Sequence, residues 1–327
     1  MNLRFKSCAA LAMAMFVVFA SGACAQEYPT RPVTVIVPFS AGGPADTAAR
    51  TFVDVMRRHF SQPLVVENRA AAGGTPGAEH VALNGHDGYT LLLGSIASFA
   101  LIPPVHTVRY KTDDFTPLAL VWRSQQVFAV RNGLSANTAA DFVSLAKASP
   151  GTMTIGSAGN GTVTHLAGEL LQREAGIRLV HVPFRSTANS LIDLAGGHID
   201  AIFGDVAILK PHVESKAIKA LAITSADRSL LLPDLVTTKE AGLLNVRTEV
   251  WYGLVASAKA PENILQRLRE VTLAVQQDPE FAERLKKYGI GLPAAGAENF
   301  GAFIKSEIDR WKPIVTSIRT DRYAPQP

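Results

Sequence analysis

Residues 33–46 read VTVIVPFSAGGPAD, and this stretch decides the fold class. Five β-branched residues follow one another from Val33 to Val37, the pattern of a central parallel strand covered on both faces. Pro38 ends the run, and the small residues Ser40 to Gly43 make a loop. Pro44 suits the first turn of a helix, where its missing N–H is not needed. Phe52, Val55, Met56 and Phe60 then fall on one helical face. Strand, small-residue loop and helix form the opening unit of a doubly wound α/β sheet.

Working outward, residues 180–186, VHVPFRS, repeat the theme of strand, Pro-Phe, loop and helix. Further strands are expected at residues 64–67, 90–93, 127–130, 153–155, 199–203, 221–224 and 251–255. Helices are expected at 138–148 with Asn137 as cap, at 163–175 closed by Gly176, and at 188–195 before Gly196-Gly197. Three more cover 261–276, 279–288 and 298–318. A chain of 327 residues exceeds the size at which a single core stops growing, about 250–300 residues. The expected division is a leader at 1–25, one lobe from 26–127 with 250–327, and a second lobe from 128–249. The chain would cross between the lobes twice, and two crossings make a hinge.

Arg4 and Lys6 precede an apolar stretch from Cys8 to Ala20, and Ala23-Cys24-Ala25 follows. This is the layout of a secretory leader cleaved after Ala25, which places the mature protein in the periplasm. An uncleaved anchor would need a longer apolar stretch, and lipidation at Cys24 would put Ser21 where Leu is usual. Both cysteines, Cys8 and Cys24, precede the cleavage point. Thiol catalysis, thiolate metal sites and disulfides are therefore not expected in the mature chain. The 32 basic residues fall to 30 without Arg4 and Lys6, against 28 acidic ones. That near balance, with no basic cluster, argues against nucleic acid as a partner.

The two Pro-Phe loops sit where ligands of open α/β sheets bind, outside the carboxyl ends of strands. Each leads into a helix N-terminus, which presents free N–H donors and a partial positive charge. The stretch Gly156 to His165, GSAGNGTVTH, adds glycines with Ser157, Asn160 and Thr162 at the start of a helix. It lacks the lysine of a phosphate loop and the spacing of a dinucleotide fingerprint. Ordinary strand-to-helix turns would account for each loop separately. Residues 94–98, GSIAS, are a weaker version of the same design.

The quoted motifs resemble those of a known family. YPTRP at 28–32, VPFSAGG at 37–43 with Asp46, VENR at 66–69 with Gly73-Gly74, and DGYTLL at 87–92 appear in order. SAGNGT at 157–162, HLAGEL at 165–170 and LAITS at 221–225 follow. Together they resemble the Bug, or TctC-type, periplasmic substrate-binding proteins of tripartite tricarboxylate transporters. The resemblance implies a type II-like binding protein: two α/β lobes, each a mixed, mostly parallel sheet flanked by helices, joined by two crossover strands. It implies capture of a di- or tricarboxylate, an acidic amino acid or an aromatic acid, delivered to membrane permease subunits. Contacts would come from Phe39, Ala41, Gly42, Gly43, Asp46, Ser95 and Ser98 on one lobe. On the other they would come from Ser157, Ala158, Gly159, Asn160, Thr162, His165, Phe184, Arg185, Thr187 and Asp205. No cofactor is implied, and the receptor is expected to act as a monomer.

Three positions depart from the commonest family pattern. Pro44 replaces a small residue, Arg185-Ser186 stands where Lys or Arg precedes Gly, and Gly204-Asp205 replaces a frequent Asp-Asn pair. A carboxylate at Asp205 would favour an amine or hydroxyl on the ligand, or else cap the helix from Val206. Enzyme readings find little support. His165 and Glu169 are four apart on a helix, but two ligands do not make a metal site and no HExxH occurs. There is no G-x-S-x-G elbow, and no acid or nucleophile pairs with Asp46 by spacing. The alternative to transport is a periplasmic sensor subunit that presents the same ligand to a signalling receptor.

Overall fold

Residues 33–37 form the strand β1 (Val33–Val37), with four of its five side chains buried. The structure, a computed structural model, describes residues 28–42, 44–70, 74–288 and 297–323. The expected leader at 1–25 and the expected ligand residue Gly43 lie outside these. The helix α1 (Pro44–Met56) follows β1, and then β2 (Leu64–Asn68), α2 (Thr75–Asn84) and β3 (Thr90–Ser95). β1 pairs in parallel with both β2 and β3. No sequence pattern announces α2, whose buried face is built from Gly77, Ala78, Val81 and Ala82. Those small residues suit a close approach, because a Cβ on Gly77 would stand 2.9 Å from the Pro38 Cβ.

The main departure from expectation is β4 (Phe115–Arg131), a single 17-residue strand. The sequence pattern predicts strand only at 127–130, since Pro117 and the polar run Ser124-Gln125-Gln126 interrupt the apolar pattern. Tertiary pairing overrides it. From Phe115 to Gln125, β4 runs antiparallel to β9 (Glu249–Ser257). From Gln126 onward it pairs with β7 (Ala201–Asp205), and from Val127 also with β8 (Ile218–Ile223), both antiparallel. β5 (Thr154–Ser157) joins β7 in parallel, and β6 (Val180–Pro183) joins β5. The order is β2-β1-β3-β9-β4-β7-β5-β6, with β8 beside β4. Two half-sheets thus share one strand, and its partners change between Gln125 and Gln126.

The helices follow local chemistry. α3 (Ala139–Ala148) is capped by Thr138 rather than the expected Asn137. The Thr138 hydroxyl accepts from Asp141 N at 3.1 Å, and Asp141 accepts in return from the Thr138 and Asn137 N–H groups. A box of this kind satisfies more of the exposed helix-end donors than a single cap. α4 (Val163–Ala175) ends at Gly176, whose φ of +61° is a left-handed value that favours glycine. α5 (Thr187–Ala195) and α6 (Val206–Glu214) flank β7, and α7 (Glu262–Gln277), α8 (Pro279–Lys286) and α9 (Ala297–Tyr323) complete the chain. No helix among the described residues is long and apolar enough to cross a membrane.

One apolar cluster packs α1, α7 and α8 on β1, β3 and β9, through residues such as Phe52, Leu268, Phe281 and Leu93. A second gathers α3 and α4 against Phe128 and Phe203 and also holds the aromatic group around Trp251. In that group Phe99 stacks on Trp251 at 6.2 Å, and Phe300 meets Trp251 edge-on at 5.8 Å. Gly94 and Gly253, register partners on β3 and β9, make the room. A Cβ on Gly253 would fall 2.0 Å from the Phe300 ring, and one on Gly94 2.3 Å from Phe99.

Candidate ligand-binding site

The loop after β1 is held by one carboxylate. Asp46 Oδ2 accepts from Gly42 N and Arg50 Nε, each at 2.9 Å, and Oδ1 accepts from Asn68 Nδ2 at 3.0 Å. The same Asn68 amide donates to Phe39 O at 3.1 Å. Asp46 is buried. Burial alone would raise its carboxyl, but the bonds from Arg50, Gly42 and Asn68 hold it below the usual carboxylate range. Asp46 therefore shapes the loop, leaving Ala41 and Gly42 at its exposed tip. After β3, the Ser95 and Ser98 hydroxyls lie 3.2 Å apart, both buried, and Tyr110 OH donates to Ser98 O at 2.7 Å. A Cβ on Gly74 would touch both Pro38 and Ser98 Oγ, so the β1 and β3 loops converge there.

The loop after β5 is also self-braced. Ser157 Oγ lies 2.7 Å from His181 Nε2 and accepts from Gly159 N at 3.1 Å. Ala158 N donates to Thr164 Oγ1 at 2.9 Å, and Thr162 Oγ1 donates to Gly159 O at 2.7 Å. Gly161 N donates to His165 Nδ1 at 3.1 Å, so that nitrogen is an acceptor and the ring proton sits on Nε2, 3.4 Å from Glu169 Oε1. The His165 and His181 rings stack at 4.1 Å. The N–H groups of Ala158, Gly159 and Gly161 are thus engaged inside the loop. Asn160 is exposed at its tip, next to the first turn of α4. Among the described residues no three His, Cys, Asp or Glu side chains gather as metal ligands.

Phe184 N donates to Ser157 O at 2.9 Å, tying the β6 loop to the β5 loop. Arg185 is exposed and has no ion pair among the described residues. Ser186 caps α5 by accepting from Asn189 N at 3.2 Å. The Gly204 departure also has a packing reason. A Cβ there would stand 2.5 Å from Leu209 and 2.9 Å from Thr187 Cγ2. Asp205 caps α6, accepting from Ala207 N at 3.0 Å, and also accepts the Ser124 hydroxyl of β4. Both expected roles therefore start from one residue: the cap is made, and the carboxylate stands at the carboxyl end of β7.

Residues of one sheet face bring the two halves together. Tyr252 is the register partner of Ser95 and of Trp122, and Gln126 is the partner of Asp205. Ser124 lies two residues from each of Trp122 and Gln126, on the same face. The Tyr252 ring meets Phe39 at 5.9 Å. Burial, and then the nearby charge of Asp205, push the Tyr252 hydroxyl above its ordinary range. Along this face the helical cover changes. Trp122 and Tyr252 belong to the cluster under α1, α7 and α8, whereas Phe128 and Phe203 lie in the cluster with α3 and α4. Ser124, Gln126 and Asp205 occupy the polar interval between the two.

Over residues 48–319 the chain matches the model of the tripartite tricarboxylate transporter family receptor. The chain belongs to this receptor family. A relative from Agrobacterium vitis, a UPF0065 protein in the TAR-I ttuE-ttuC' intergenic region, is 34% identical over 300 residues, 89% of this chain and 85% of its own. The receptor's fold is that of solved periplasmic binding proteins. MatC from Rhodopseudomonas palustris with bound malate is 29% identical, with a TM-score of 0.77 over 88% of this chain and 100% of that one. A second R. palustris protein, with adipate, is also 29% identical, with a TM-score of 0.79 over 89% and 98% of the two chains.

The candidate site includes residues that sequence reasoning missed. Tyr252, Ser124 and Gln126 carry the contact between halves, yet none lies in a Gly-rich loop. The available signal was the polar triplet at 124–126 inside an apolar stretch. Asn68 of the receptor's β2 stands in the sequence only as part of a motif, and its amide holds both Phe39 and Asp46.

Proposed function

We propose that the protein is a periplasmic receptor that captures a small di- or tricarboxylate between two lobes and hands it to membrane permease subunits. The lobes are residues 26–127 with 250–327 and residues 128–249, and the leader is removed after Ala25. The observation that carries this reading is the polar interval at Tyr252, Ser124 and Asp205. There the Phe39 ring of the loop after β1 meets Tyr252, and the Tyr252 hydroxyl feels the charge of Asp205 at the end of β7. Ligands of such sheets bind at the carboxyl ends of strands, and the malate and adipate of the two relatives support a carboxylate.

Each lobe supplies part of the site, so solute docks on one and the other turns in about β4 near Gln125 and the start of β9 near Glu249. The exposed loop tips at Ala41 and Asn160, the first turn of α4 and Arg185 carry donors for carboxylate oxygens. Closure shifts the equilibrium only by the difference in affinity between closed and open forms. The chemistry ends with binding, and the solute leaves unchanged.

A thermal-shift screen of ligand-stripped protein against di- and tricarboxylates, acidic amino acids and aromatic acids tests this. A true ligand at a hundred times its dissociation constant adds about 2.7 kcal/mol, which raises Tm by several degrees. A selective rise with the compound recovered unchanged is the expected outcome. A flat panel would remove the carboxylate reading, and a chemically altered compound would make the protein an enzyme.

A further inference from the structure

Where the two half-sheets meet, buried polar atoms are left without partners among the described residues, the Trp122 Nε1–H and the Gln126 side-chain oxygen among them. The buried Asp205 carboxylate accepts the Ser124 hydroxyl and the N–H groups of Ala207 and Ile208. An ionised carboxylate offers about four acceptor positions, so one stays open. Gln126, opposite Asp205 in register and only 1% exposed, has a side-chain oxygen with no partner. Buried acceptors are normally matched with donors, and an unmatched one calls for an explanation.

We propose that Asp205 and Gln126 form a donor-reading floor that selects short carboxylates bearing a hydroxyl or ammonium group over unsubstituted ones of equal length. The inference rests on the reading of the protein as a carboxylate receptor and names the ligand class for that site. The rim loops and Arg185 take the ligand's carboxylates, while the substituent donates to the floor. Burial pushes the Asp205 carboxyl up against the pull of its three donors. A fourth donor from the ligand favours the charged form. The Tyr252 hydroxyl, on the same face, makes no hydrogen bond among the described residues and is placed to join the substituent. A ligand with no donor would leave both acceptors buried and unmatched on closure, and that difference is the source of selectivity.

Calorimetric titration of the purified protein with matched acids tests the inference. The probes are succinate, malate and aspartate in one series, and glutarate, 2-hydroxyglutarate and glutamate in the other. In at least one series the wild type is expected to bind a substituted member at least about tenfold more tightly than the plain one. Asp205→Asn keeps a helix-capping side chain but replaces one acceptor oxygen with a donor. It should cut that ratio below about threefold. Equal or better binding of the plain acids by wild type overturns the inference and leaves the carboxylate reading intact. So does a ratio that Asp205→Asn preserves. Binding of none of these acids overturns the inference alone, and the wider thermal-shift panel decides the carboxylate reading. The wild-type comparison needs no variant, so an Asp205→Asn protein that failed to fold would not shield the inference.

Discussion

Asp46 shows how one side chain can fix a loop that a ligand reads. Its carboxylate takes the Gly42 N–H, the Arg50 guanidinium and the Asn68 amide, and Asn68 in turn holds Phe39 O. Asp46→Ala leaves a loop N–H and an amide without their acceptor and is expected to cost about 1–3 kcal/mol. The loss depends on pH with a definite sign. The folded-state pKa is depressed, so this stabilisation is present above the unfolded value and fades as pH falls through the folded one. Chemical denaturation of wild type and variant should therefore show a gap at pH 7 that narrows toward strong acid. A gap that is constant or widens in acid would contradict the bracing role. Asp46 and Asp205 are both legible in the sequence as carboxylates at loop ends. Their partners are not: Ser124 is 81 positions from Asp205 and Asn68 is 22 from Asp46, and no local pattern encodes such pairings.

Elements whose signals are local are legible almost to the residue. The cap at Thr162, the apolar face and Gly176 bound α4 at Val163–Ala175, as the sequence predicts. β4 is not legible in this way, because its polar centre is held in strand by backbone pairing with three distant strands. α2 escapes a pattern reading because its apolar face is nearly all small residues. The β3–β9 pair makes a sharp prediction at this scale. Gly94 and Gly253 face each other across the ladder with Phe99 and Phe300 laid against them. Gly253→Ala must displace the Phe300 ring, and with it the edge contact to Trp251, and should cost about 1–3 kcal/mol of overpacking. A melting curve checks this. A variant as stable as wild type would mean that α9 does not hold Phe300 in place.

In the whole molecule, β4 belongs to both half-sheets, and the polar residues of the proposed site stand where its partners change. The doubly wound plan and the family are legible in the sequence, and so are most loops of the proposed site, since these follow strands with Pro-Phe or Gly-rich signatures. The polar strip at Ser124, Gln126, Asp205 and Tyr252 exists only once β4, β7 and β9 are paired, and so it is invisible until the fold is assembled. If the lobes turn about this strip, a solute bridging them holds the closed form. A crystal structure with the most stabilising acid of the thermal-shift panel tests that mechanism most directly. The acid is predicted to lie between the loop tips at Gly42 and Asn160, in contact with Tyr252 and Asp205. An acid bound elsewhere, such as in the surface depression lined by Thr51, Glu280, Arg284 and Tyr288, would contradict it.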